Sequence, residues 1–213
     1  MKTDQLIDRL VEAATPVRRD IVSRRLATAA LAGTLCATAL MLVLLGLRPD
    51  ITAVVPHTAF WAKLAYPAAI ALGSSWLLVR LGRPGAGVGR VGLLAALPVA
   101  AIWLLGLATL ADAQPGDRLA LLQGGSWHSC ALYIAALAVP PLAANFWAVG
   151  AMAPTRLAWA GAAAGALAGA LGACAYAWHC TEMAAPFLAV WYTLGMAIPA
   201  AVGAVAGPRF LRW

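Results

Sequence analysis

The sequence predicts an all-α membrane protein: a six-transmembrane-helix bundle preceded by a short amphipathic cytoplasmic N-terminal helix, with both termini cytoplasmic. Three observations predict it. The first is composition. Of 213 residues, 63% are hydrophobic and only 11% charged, and mean hydropathy is +0.83. A soluble domain carries about 25% charged residues, so there is too little charge here to coat a water-facing surface. The second is six apolar runs, at 26–47, 58–79, 91–111, 129–149, 156–178 and 184–206. Each has the ~20-residue length of one crossing. The third is the placement of Lys and Arg in their flanks, which sets orientation. With the N-terminus inside, twelve basic residues (Lys2, Arg9, Arg18, Arg19, Arg24, Arg25, Arg80, Arg83, Arg90, Arg156, Arg209, Arg212) fall on the cytoplasmic side and two, Arg48 and Arg118, outside. This topology accounts for most of the net charge of +7, and no direct nucleic-acid partner is expected.

In chain order, TDQLIDRLVEAAT (3–15) places Leu6, Ile7, Leu10, Val11 and Ala14 on one helical face. Thr3 is a helix cap and Asp4 suits the positive N-terminal end. The acidic residues of this segment count against a helix that merely lies on anionic lipid. An apolar face docking in the groove of a soluble partner fits better, with Leu6, Ile7, Leu10 and Val11 as the contact. Pro16 interrupts the pattern and suits the first turn of a following helix. No cleavable signal peptide is expected, because the first apolar run begins near Leu26, after a charged segment, and is long enough to span.

Lys63 lies just inside the outer end of the second span, where it is expected to snorkel outward. Pro67, Pro98, Pro140, Pro141 and Pro199 fall within spans, as kinks. Leu119, Leu121 and Leu122 of the long outer loop (112–128) are expected on the rim of the bundle. The fifth span carries Gly161, Gly165, Gly169 and Gly172, a stripe of small residues that lets helix backbones approach closely in lipid.

The chemistry is concentrated in two clusters, Trp127-His128-Ser129-Cys130 and Trp178-His179-Cys180-Thr181-Glu182. The fourth span runs inward from Cys130 and the fifth returns outward to Cys180. The two thiols therefore end at similar depth on the outer face. Residue types alone leave three outcomes open. The pair forms a disulfide, it takes up a soft metal through two thiolates with His128, His179 or Glu182 assisting, or it is inert. Cys36 and Cys174 fall within spans, where cysteine is most often a small apolar residue. No phosphate-binding glycine loop, HExxH, CxxC or serine–histidine–acid set is present, and no ionisable residue sits at mid-span.

These features resemble the NrsF family, negative regulators of sigma-F. The resemblance rests on DQLIDRLVEAATPVRR before six spans, GGSWHSCALYIAALAVPPL opening the fourth, and HCTEMAAPFLAVWYTLGMAIP joining the fifth to the sixth. It covers essentially the whole chain. It implies a non-enzymatic anti-sigma factor of the bacterial inner membrane that holds an ECF-type sigma factor. On that resemblance, 1–24 is the sigma-binding segment and 25–213 the transmembrane sensor domain. Periplasm-facing Cys130 and Cys180 then serve the response to heavy-metal or oxidative stress. No constitutive cofactor is implied; a soft metal ion at the thiol pair would be transient. The competing expectations are a membrane thiol-disulfide oxidoreductase using the same cysteines, and a small-solute transporter, which the uncharged mid-span regions argue against.

Overall fold

The computed structural model describes residues 3–13, 21–83, 85 and 87–212. All regular structure among them is helical. The N-terminal helix α1 spans Thr3–Ala13. The expected helix start at Pro16 and the Arg18-Arg19 pair lie outside the described residues, as do the side chains of Leu6 and Leu10.

Five stretches are long and apolar enough to cross a membrane. They are α2 (Ile21–Leu44), α4 (Thr58–Leu81), the combined stretch Arg118–Gly150, α9 (Leu157–Tyr176) and the final stretch Ala185–Phe210. A further apolar helix, α5 (Gly89–Asp112), contributes Ala96–Asp112 as its described apolar part. A four-residue helix, α3 (Ile51–Val54), follows α2. The first long helix begins at Ile21 rather than at 26, because Arg25 does not stop it. The Arg25 guanidinium lies 4.2 Å from the Trp147 ring centroid and so has a partner while the helix continues past it.

Proline shapes the fourth run as its covalent geometry requires. Arg118–Gly150 is divided into α6 (Arg118–Gln123), α7 (Trp127–Leu137) and α8 (Val139–Gly150). The α7–α8 break falls at Ala138, two residues before the Pro140-Pro141 pair, neither of which can donate a backbone hydrogen bond. Helix α2 packs directly on this kink: a Cβ at Gly33 would sit 2.5 Å from the Pro141 Cα. The final stretch is also irregular. It comprises α10 (Ala185–Phe187), a π-helical turn at Leu188–Tyr192 and α11 (Thr193–Phe210).

Helix α9 is the centre of the bundle, contacting α2, α4, α7, α8 and α11, while α5 packs on α4 and on the α10–π segment. Most of the α9 side chains are buried alanine or glycine. The bulky apolar residues Leu31, Val43, Leu72, Trp76, Leu104, Trp147 and Phe210 point outward. This small-inside, large-outside pattern suits a bundle whose solvent is lipid. Leu and hydrocarbon gain nothing from each other's exclusion, so close backbone packing has to supply the cohesion. The glycine stripe does so against α11. A Cβ on Gly161 would overlap the Gly203 carbonyl, one on Gly165 the Pro199 carbonyl, and one on Gly169 would lie 2.8 Å from the Met196 Cα.

Candidate functional site: a buried thiol pair

The local backbone brings the two cysteines to one end of the bundle. Cys130 occupies the first turn of α7, where its N–H donates to the Ser126 carbonyl at 3.0 Å. Cys180 follows α9 and is held to it by its own N–H, donated to the Tyr176 carbonyl at 3.0 Å. Both are free thiols. They are 0% and 2% exposed, respectively, and hydrogen-bonded to each other. The juxtaposition expected from helix counting is therefore present.

Cations surround this turn. Lys63 does not snorkel outward. It is 2% exposed, and its Nζ donates to the Cys180 carbonyl at 2.6 Å and the Glu182 carbonyl at 2.8 Å. A bilayer edge attracts a free lysine head, but two converging carbonyls hold this one inside the bundle. Arg48 is buried too. Its guanidinium donates to the Cys180 carbonyl at 3.1 Å and pairs with the Asp50 carboxylate at 2.7 and 2.8 Å. The hydrogen bond from Arg48 holds the Asp50 carboxyl below its ordinary value, and the same bond raises the guanidinium.

The Cys180 thiol is lowered from its ordinary value. The hydrogen bond from the Cys130 thiol is the main cause. The Lys63 ammonium, the Tyr192 hydroxyl and the Glu182 backbone N–H add to it, and burial opposes it. The Tyr192 hydroxyl is buried without a conventional acceptor and faces this sulfur.

The residues expected as auxiliary ligands are engaged elsewhere. His128 is exposed and stacks on Trp127, ring centroids 3.6 Å apart. His179 Nδ1 is 3.0 Å from the Gly46 carbonyl. The Glu182 carboxylate accepts the Gly125 N–H at 2.7 Å, which ties the Cys180 loop to the segment that leads into α7. Gly124 has to be glycine: its φ is +55°, and a Cβ there would sit 2.6 Å from the Glu182 carboxyl. Among the described residues no three His, Cys, Asp or Glu side chains gather into a group able to hold a metal ion. Of the rim leucines, Leu119 is exposed and the Leu122 carbonyl accepts the Trp191 Nε1–H at 2.9 Å.

Lys63, Arg48 and Tyr192 were not expected at the site. Lys63 carried a signal, a charge set into an apolar helix. Tyr192 carried none, because its approach depends on the π-helical turn. An apolar cavity of about 330 Å³ lies elsewhere, lined by Ile70, Ser74, Val99, Thr193 and Met196 among others.

At the other functional element, Ile7 and Val11 of α1 are 51% and 69% exposed. Their neighbours Asp8, Arg9 and Glu12 are exposed as well. The apolar edge on this short helix is therefore uncovered.

Fold and site together define a helical membrane protein with a buried pair of free thiols near one end of its bundle and an uncovered amphipathic helix outside its spans. The family model described as negative regulator of sigma F matches residues 10–213. The chain belongs to this family, NrsF. It is 43% identical over 213 residues to the probable anti-sigma-F factor NrsF of Azospira oryzae, with 100% of each chain covered. It is 39% identical over 217 residues to the anti-sigma-F factor NrsF of Caulobacter vibrioides, again with 100% of each covered. No solved structure matches the chain.

Proposed function

We propose that this protein is an anti-sigma factor of the inner membrane. Its N-terminal segment, residues 1–24, sequesters an ECF-type sigma factor through the face formed by Leu6, Ile7, Leu10 and Val11. Six spans leave both termini in the cytoplasm and put the thiol pair on the periplasmic side. Heavy-metal or oxidative stress alters the Cys130–Cys180 pair, and the sigma factor is released. The observation that carries the reading is the full-length similarity to two proteins named anti-sigma-F factors. The uncovered apolar edge of α1 supports it, since an exposed Ile7 and Val11 on a segment of mixed charge suit a protein groove.

The thiols have a mechanical route to the rest of the bundle. Cys130 opens α7, which is kinked into α8, and α8 packs on α2. The Cys180 loop leads through α10 and the π-helical turn into α11. A trigger moves such an equilibrium only by favouring one state. A shift from mostly bound to mostly free needs about 5.5 kcal/mol of difference, within reach of a new disulfide or of metal–thiolate bonds. The oxidoreductase alternative requires a bulky dithiol or protein substrate to reach a thiol, and exposures of 0% and 2% admit a metal ion or a small reagent more readily than such a substrate.

The test is co-purification of the sigma factor with the full-length chain from membranes. Wild type retains it, and Ile7→Asp or Val11→Asp loses it. In the same system Cys130→Ser or Cys180→Ser abolishes release under metal stress. A wild-type chain that retains no sigma factor overturns the reading.

A further inference from the structure

Six groups, five of them on other segments, gather around Cys180. They are Arg48 after α2, Lys63 on α4, Cys130 on α7, Tyr176 on α9, Tyr192 on the π-helical turn and Glu182 on the same loop. Their arrangement is lopsided in charge. Arg48 is neutralised by Asp50 at 2.7 Å. Lys63 makes its direct contacts with neutral groups: two carbonyls, at 2.6 and 2.8 Å, and the Tyr192 ring, whose centroid is 5.5 Å away; the Asp50 carboxylate also acts on it electrostatically but is committed to Arg48. An ammonium taken out of water without an anion costs several kcal/mol, so this one calls for a counter-charge in the same buried volume. Cys130 and Tyr192 share this cluster, but the Cys180 thiol belongs to the residue whose carbonyl Lys63 binds at 2.6 Å and is the group placed to become the anion.

We propose that Lys63, together with the Tyr192 hydroxyl, is the built-in partner of the Cys180 sulfur and makes Cys180, not Cys130, the reactive thiol of the pair. Lys63 is a positioning residue. Its two carbonyl bonds fix the loop, and its charge favours the thiolate, the form that acts as nucleophile and soft ligand. Tyr192 offers a donor: its hydroxyl is fully buried, has no hydrogen-bond partner among the described residues and lies close enough to Cys180 to act on the thiol. Cys130 lies against Cys180 as the second thiol of the pair, and the Lys63 ammonium makes its direct contact with Cys180. The low thiol value at Cys180 agrees with this arrangement. The inference deepens the sensor reading of the pair, but its readout involves no sigma factor. A chain that binds no partner leaves it intact, and the reverse also holds.

The experiment uses the full-length protein in detergent micelles, in a Cys36→Ser/Cys174→Ala background, with methyl methanethiosulfonate at limiting amounts. Peptide mass mapping identifies the sulfur modified first, and the rate is followed against pH. Cys180 is expected first, with a rate that is level through neutral pH. Lys63→Gln keeps an amide donor but removes the charge. It should slow Cys180 modification about tenfold or more near neutral pH, one decade of thiolate fraction per pKa unit, and move the profile upward. Lys63→Arg should restore the rate, and Tyr192→Phe should shift the profile in the same direction as Lys63→Gln. The proposal is overturned if Cys130 is modified first in the background protein. It is equally overturned if a folded Lys63→Gln keeps the unchanged rate and profile. Should Lys63→Gln not fold, the background mapping and the Tyr192→Phe profile decide alone.

Discussion

A single methyl group at Gly165 tests the packing that holds the bundle together. In Gly165→Ala the new Cβ would lie 2.6 Å from the Pro199 carbonyl carbon and 2.8 Å from the Ala200 Cα, and it would overlap the Pro199 oxygen. Carbon atoms rest at about 3.5–4.0 Å, so α9 and α11 have to part by about 1 Å. The obstructing atoms are backbone, and no rotamer change relieves them. Parting the helices also loosens Gly161 against Gly203 and Gly207, which lie on the same seam. Overpacking of this kind costs about 1–3 kcal/mol. In a chain of this size that lowers the melting temperature by roughly 2–12 °C. The assay is thermal unfolding in detergent followed by tryptophan fluorescence. Gly150→Ala is the control, since a Cβ there meets nothing within 4 Å. A Gly165→Ala protein as stable as Gly150→Ala would refute the argument that backbone-to-backbone approach supplies the cohesion.

Other outcomes follow from the same structure. Asp50 is held below its ordinary value near 3.8. Its pairing with Arg48 therefore contributes stability that is present above that value and lost as pH falls through the lowered one. Melting curves across the acid range should show this decline, and Asp50→Asn should flatten it. Glu182→Ala removes the acceptor for the Gly125 N–H at 2.7 Å. It should cost about 1–3 kcal/mol, as for other hydrogen bonds to charged groups, and speed amide exchange at Gly125, whereas equal exchange rates count against the tie between the two loops. Asn145→Leu removes a fully buried amide that donates to the Ala164 carbonyl at 3.2 Å. Its Oδ1 already lacks a partner, so unfolding should shift by less than about 1.5 kcal/mol, and a larger loss would point to a role beyond packing.

Composition and periodicity were enough to predict helices, apolar stretches and a glycine seam, because each depends on local spacing. The pairing of Cys130 with Cys180 was also legible, since antiparallel neighbouring helices return the chain to the same depth. The same reasoning failed for Lys63. Snorkelling is a property of a lysine facing lipid, and nothing in residues 58–81 says that the Cys180 and Glu182 carbonyls wait beside it. The histidines show the opposite error. His128 and His179 lie next to the cysteines in sequence, but one stacks on Trp127 and the other meets the Gly46 carbonyl. Adjacency along a chain does not fix where a side chain points.

The sequence by itself thus determined a helical chain with several membrane-length apolar stretches, its two thiols at one end, and an N-terminal helix on which Ile7 and Val11 are exposed. Only the tertiary structure decided the electrostatics of the thiol site. Arg48 after α2, Lys63 on α4, Cys130 on α7 and Tyr192 on the π-helical turn converge on one residue from four separate segments. Tyr192 arrives on the π-helical turn Leu188–Tyr192. Such convergence depends on long-range packing, which residue spacing does not encode.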